Sequence, residues 1–130
     1  MIHGIGTDIV AVSRLQHGLK RFGERFAQRL LTPGEWQTYQ RQAHPARFLA
    51  KRFAAKEACA KAMGLGFRDG MSLRDIAVIN DPLGRPQLQF SGRAAELRVQ
   101  LGIGDAHLSL SDEQEYAIAF VTLLKSGCCA

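Results

Sequence analysis

Two carboxylates and a set of basic side chains carry the chemical potential of this chain. Glu57 and Lys61 stand four residues apart in a stretch with no Gly or Pro, which puts them on one face of a helix. By itself that spacing describes a solvated ion pair worth roughly 0.2–0.5 kcal/mol. The context points further, because Arg52, Lys56 and Lys61 surround this single acid among alanines. A carboxylate inside a basic cluster stays ionised. It can then hold a hard divalent cation through oxygen while the basic residues hold phosphate oxygens. Asp8 is the second carboxylate, in an apolar run just after Gly4 and Gly6. Acids are depleted from strands, and a charge there is costly unless paired or metal-bound. The bland alternative is a strand-end residue that caps a neighbouring backbone. Together Asp8 and Glu57 would give Mg²⁺ two oxygen ligands, and that ion normally takes one or two carboxylates plus substrate phosphates and waters. The two glycines would let another backbone or a ligand approach closely. Neither GxGxxG nor GxxxxGK[ST] occurs, so Rossmann and P-loop phosphate sites are unsupported.

The elements that must position these residues follow from periodicity and punctuation. Residues 2–12 read as a strand. Ser13 with Gln16 has a capping-box pattern, and Leu15, Leu19, Phe22, Phe26 and Leu30 recur by threes and fours, which predicts one helix over 13–31. Thr32-Pro33-Gly34-Glu35 is a second capping box and opens a short helix to about Arg41, with a break at His44-Pro45. Residues 47–63 predict a helix capped by Gly64. The second half predicts strands at 75–80 and 87–90 around a turn, a helix over 91–101, and strands at 107–111 and 116–124. The sum is an α+β fold, a largely antiparallel sheet with packed helices. The 130 residues suit one small domain over 1–125, with 126–130 as a fraying tail.

Charge is uneven along the chain. Residues 1–65 hold eleven Lys/Arg against four acids, a net +7, whereas 66–130 hold six against eight, a net −2. This favours an acidic partner docking on the first half. The three cysteines, Cys59, Cys128 and Cys129, form no disulfide framework and no zinc spacing, so a reduced, cytoplasmic setting is expected. His3, Gly4, Gly6 and Asp8 interrupt any signal-like opening, and no run approaches the roughly 20 apolar residues of a membrane span. No membrane partner is expected.

Three segments, GIGTDIVAVSRL at Gly4–Leu15, RFLAKRFAAKEACAKAMG at Arg47–Gly64 and HLSLSDEQEYAIAFV at His107–Val121, resemble the holo-[acyl-carrier-protein] synthase family of bacterial 4′-phosphopantetheinyl transferases. The likeness runs through the whole chain in order. It implies Mg²⁺-dependent transfer of the phosphopantetheine arm of coenzyme A to a serine hydroxyl of apo acyl carrier protein, with release of 3′,5′-ADP, in fatty acid biosynthesis. It implies Mg²⁺ on Asp8 and Glu57, and catalysis by Asp8, Glu57 and Lys61. Glu57, or a water beside it, would take the serine proton, and Lys61 would serve the leaving group. Coenzyme A contacts would come from Arg52, Lys56, Lys61, Gly64, His107 and Ser109. Arg14, Arg21 and Arg25 would dock the acidic carrier, Arg21 and Arg25 by helical geometry from Arg14. Relatives are usually homotrimers with the active site at the subunit junction. One departure concerns the HxSxSH pattern, whose second histidine is Asp112 here.

Two other function classes compete. A basic nucleic-acid-binding domain would explain the pI of about 9.5, but no nucleic-acid motif is present and aromatic residues are only 8%. No nucleic acid partner is therefore expected. A structural assembly protein would leave Asp8 and the lysine-rich helix without a role.

Overall fold

The computed structural model describes residues 1–127; Cys128 and Cys129, expected in the tail, lie outside the described residues. Strand β1 (Ile2–Ala11) leads into helices α1 (Val12–Phe22), α2 (Glu24–Leu30), α3 (Pro33–Tyr39) and α4 (Pro45–Met63). A 3₁₀ turn at Leu73–Asp75 then precedes strands β2 (Ile76–Asn80) and β3 (Pro86–Phe90). Helix α5 (Gly92–Gln100) and strands β4 (Ile103–Asp112) and β5 (Tyr116–Lys125) complete the chain. One antiparallel sheet has the order β1-β5-β4, and β2 and β3 form a separate antiparallel hairpin. This is the expected α+β architecture, with the strands divided between two sheets. Among the described residues no helix is long and apolar enough to cross a membrane.

The large sheet has two unlike faces because side chains alternate along each strand. Its inner face, with Val10, Ala117, Ala119, Val121 and Leu123, is buried under α4. The helix answers with Ala54, Ala55, Ala58 and Ala62, all buried. Small side chains on both surfaces let the backbones come close. The contact is tightest at Gly4 and Gly6: a Cβ there would sit 2.0 Å from the Ala62 carbonyl oxygen and 1.9 Å from that of Ala58. The glycines are required for lack of a side chain, since the helix lies directly on the strand backbone. On the outer face Ile5, Ile9, Ile118 and Phe120 stay 55%, 60%, 43% and 47% exposed, so nothing among the described residues covers it.

Four local expectations change. The first helix starts at Val12, with Ala11 as N-cap and no side-chain cap, so Ser13 and Gln16 form no capping box. The Val12 N–H instead donates to the Glu115 carbonyl, so a backbone partner replaces the capping side chain. The single helix over 13–31 is two helices, because Gly23 turns at φ 66° and ends α1 by donating to Leu19 O. Pro45 opens α4 at its first position, two residues earlier than expected. Strand β4 begins at Ile103. The Thr32–Glu35 capping box forms in both directions, and Gly64 closes α4 with φ 85°.

Candidate active site

Asp8 projects from the inner face of β1, two residues after Gly6, and so emerges beside α4. Lys61 Nζ donates to Asp8 Oδ1 at 3.0 Å and to the Thr7 carbonyl at 3.1 Å. The pair is open to solvent, with the Lys61 side chain 54% and that of Asp8 17% exposed. Glu57 lies one helical turn before Lys61. Partial burial pushes its carboxyl above the ordinary range, and repulsion from Asp8 adds to this; Lys61 and Arg14 act in the opposite direction. The β1–α4 packing has therefore gathered Asp8, Glu57, Lys61 and Arg14 within electrostatic reach of one another.

The two carboxylates suit a hard cation. They offer oxygen donors at a solvent-open face, and their mutual repulsion is what a divalent ion would relieve. Among the described residues no group of three or more His, Cys, Asp or Glu is gathered to hold a metal. An ion here would complete its shell with water and substrate oxygens, the manner in which Mg²⁺ is usually bound.

The expectation for Lys56 is corrected. Its side chain is completely buried and donates to Glu35 Oε1 at 2.6 Å and to the Leu30 carbonyl. Burial pushes its amine down, opposed by Glu35. Helical geometry explains the outcome: Lys56 directly precedes Glu57 and so points about 100° away from it. Glu35 itself, seen in sequence only as a capping residue, is a buried hub. It accepts from the N–H groups of Thr32 and Val78 as well as from Lys56, and pairs with Arg52 at 3.4 Å. Sequence offered no signal for this tertiary role. Glu35→Ala is expected to cost about 3–5 kcal/mol in urea unfolding, since it leaves buried charge unpaired. The double variant Glu35→Ala/Lys56→Met should recover a large part of that loss.

His107 and Ser109 point away from Asp8 and Glu57. They alternate outward on β4, opposite Thr122 and Phe120 of β5, so one chain does not bring them to the Asp8 face. Asp112, at the departed histidine position, faces Arg47 at 3.9 Å. Gly64 caps α4 three residues after Lys61, with open space where a side chain would stand. Arg14 and Arg21 share α1, their guanidinium groups 5.4 Å and 5.2 Å from the rings of Phe53 and Phe22. Arg25 does not continue their helix: it belongs to α2, beyond the turn at Gly23, and lines a groove with Gln28, Arg29, Ser72 and Arg74. The Cys59 thiol is buried and pushed up to about 12, which leaves no thiolate for nucleophilic work.

Residues 4–121 match the family described as the 4′-phosphopantetheinyl transferase superfamily. A holo-[acyl-carrier-protein] synthase of Halorhodospira halophila is 59% identical over 95% of this chain and 98% of its own length. The crystal structure of such a synthase from Neisseria meningitidis superposes with a TM-score of 0.90 at 45% identity, covering 96% of this chain and all of that one. The Helicobacter pylori synthase in complex with coenzyme A gives a TM-score of 0.80 at 32% identity, over 92% of this chain and 98% of that one. With sequence, fold and length all in agreement, this chain belongs to the 4′-phosphopantetheinyl transferase superfamily, among the holo-[acyl-carrier-protein] synthases.

Proposed function

We propose that this chain moves the 4′-phosphopantetheine arm of coenzyme A onto a serine hydroxyl of apo acyl carrier protein and releases 3′,5′-ADP. One observation carries the reading: Gly4 and Gly6 seat β1 on α4 so that Asp8, Glu57 and Lys61 share one exposed face. The coenzyme A complex of the Helicobacter pylori relative supports coenzyme A as the donor. In the reaction the serine oxygen bonds to the coenzyme's β-phosphorus as the bond to the ADP oxygen breaks. Glu57, directly or through a water, takes the hydroxyl proton. Lys61, released from Asp8, donates to the oxygen that leaves. Mg²⁺ held by Asp8 and Glu57 would supply charge neutralisation on the pyrophosphate. The test is to incubate the protein with apo carrier, coenzyme A and Mg²⁺ and to look for the added arm by mass spectrometry. No mass gain across pH and cation conditions would reject the reading.

Arg14 and Arg21 on α1 serve the acidic carrier in this reading. Arg14→Ala/Arg21→Ala should lower kcat/KM for the carrier about 10-fold at low salt, while leaving the KM for coenzyme A near normal. The deficit should shrink as salt screens the wild-type attraction.

A homotrimer is the proposed assembly. The uncovered face bearing Ile5, Ile9, Ile118 and Phe120 supports self-association, and it also carries His107 and Ser109. Those two residues would then meet the coenzyme A of a neighbouring subunit. Sedimentation should give three times 14.3 kDa at micromolar concentration; a monomer would overturn the assembly. A cytoplasmic place in fatty acid biosynthesis completes the proposal.

A further inference from the structure

Helix α4 carries Glu57 and Lys61 on one side and is held from two others. Toward the sheet it presents Ala54, Ala58 and Ala62, and Gly4 and Gly6 of β1 lie directly on its backbone. That surface sets how close helix and sheet come. Alanine and glycine offer no long side chains to interlock, so they resist a roll of the helix about its axis only weakly. Lys56 projects from the far side: two residues before Ala58, it stands roughly 160° around the helix. Its amine donates to Glu35 Oε1 at 2.6 Å and to the carbonyl of Leu30, the last residue of α2. Glu35 sits in the first turn of α3 and accepts from the Thr32 N–H at 3.0 Å and from the Val78 N–H of β2 at 2.8 Å. Arg52, one turn earlier on α4, pairs with the same carboxylate. One buried charge thus ties α2, α3 and β2 to the side of α4 away from the sheet. A fully partnered buried network rigidifies a single arrangement. Its net worth to stability is small, since apolar groups of similar volume often do as well.

We propose that Glu35 and Lys56 are positioning residues: their pair fixes the roll of α4 that turns Glu57 and Lys61 toward Asp8. Lys56 immediately precedes Glu57, so a roll at the anchor reaches the carboxylate through one peptide unit. Neither member of the pair is open to a substrate, with Lys56 fully buried and Glu35 only 3% exposed. The kinetic consequence rests on the transfer proposed above; the geometric one does not.

The test uses Lys56→Met, which keeps the bulk of the side chain and leaves Glu35 its partners Thr32, Val78 and Arg52. The variant should fold. Residual dipolar couplings of the α4 amides should show the helix rolled relative to the β1-β5-β4 sheet, or averaged over several rolls. The kcat for carrier modification should fall about 10²-fold, the loss that a displacement of ~1 Å at the reacting groups produces. The KM for coenzyme A and for the carrier should stay near the wild-type values. A merely structural pair would lower stability and leave kcat per folded molecule unchanged. Couplings that match the wild type overturn the inference, as does wild-type kcat in the folded variant. A raised KM for coenzyme A in place of the loss in kcat also overturns it, and returns Lys56 to the coenzyme. Should Lys56→Met not fold, Glu35→Gln/Lys56→Met removes both charges of the pair and is read in the same way. Failure of both variants to fold rejects the positioning role, because the pair would then hold the fold as a whole. A wild-type chain that transfers no arm rejects the function proposed above, and the couplings alone then decide the roll of α4.

Discussion

Glu57→Gln should lower kcat for carrier modification by about 10³-fold or more while leaving the fold intact. The substitution keeps size and shape but removes both the proposed proton acceptor and one of the two proposed cation ligands. Loss of general-base catalysis alone is worth about 10²–10⁴-fold. Stability should hold or rise, because the native carboxyl is burdened by partial burial and by repulsion from Asp8, and a neutral amide relieves both. Asp8→Asn should fall similarly in rate. It also weakens the contact that parks Lys61 at 3.0 Å, so Lys61 should become more mobile. Steady-state kinetics beside thermal unfolding check both variants. Mg²⁺-dependent turnover near the wild-type level in either one would remove the carboxylate pair from the mechanism.

The second large effect is expected at a residue with no chemistry of its own. Gly6→Ala places a methyl 1.9 Å from the Ala58 carbonyl oxygen and 2.8 Å from the Ala62 nitrogen. These are backbone atoms of a helix fixed on both sides, so no rotamer change can make room. Overpacking usually costs about 1–3 kcal/mol, and the loss here should reach or pass the upper end because strand and helix must separate. Separation also carries Asp8 away from Glu57 and Lys61, so activity per folded molecule should drop as well. Gly34→Ala is the control: its Cβ would meet nothing within 4 Å, in the first turn of α3. Its stability should be unchanged or slightly higher, since alanine favours helix. Urea unfolding of the two variants side by side decides the matter. Equal stability would show that the β1–α4 contact tolerates a side chain.

Local chemistry was legible along the chain where a few neighbouring residues settle the outcome. Thr32 and Glu35 cap α3 as their spacing predicts, and Gly64 ends α4 in the left-handed conformation. The alanine-rich stretch is helical, and the apolar run at 116–124 is strand β5. The start of α1 was misread because its first N–H is satisfied by Glu115, more than a hundred residues away, which no window around Ser13 contains. Lys56 was misread for a similar reason. A lysine among lysines looks solvated, and only the fold of α3 against α4 supplies the buried carboxylate that draws it inward.

From the sequence alone followed the fold class, the Asp8–Glu57–Lys61 pairing and the basic first half, because charge type, helical spacing and glycine placement are properties of residue order. Tertiary structure decided which charges are available. It buried Lys56 and Glu35 together, turned His107 and Ser109 to the sheet face opposite Asp8, separated Arg25 from the helix of Arg14, and left Arg52 at a cleft of its own. The physical reason is that a charge's role depends on its solvent exposure and on partners distant in sequence, and both are set only when the elements pack.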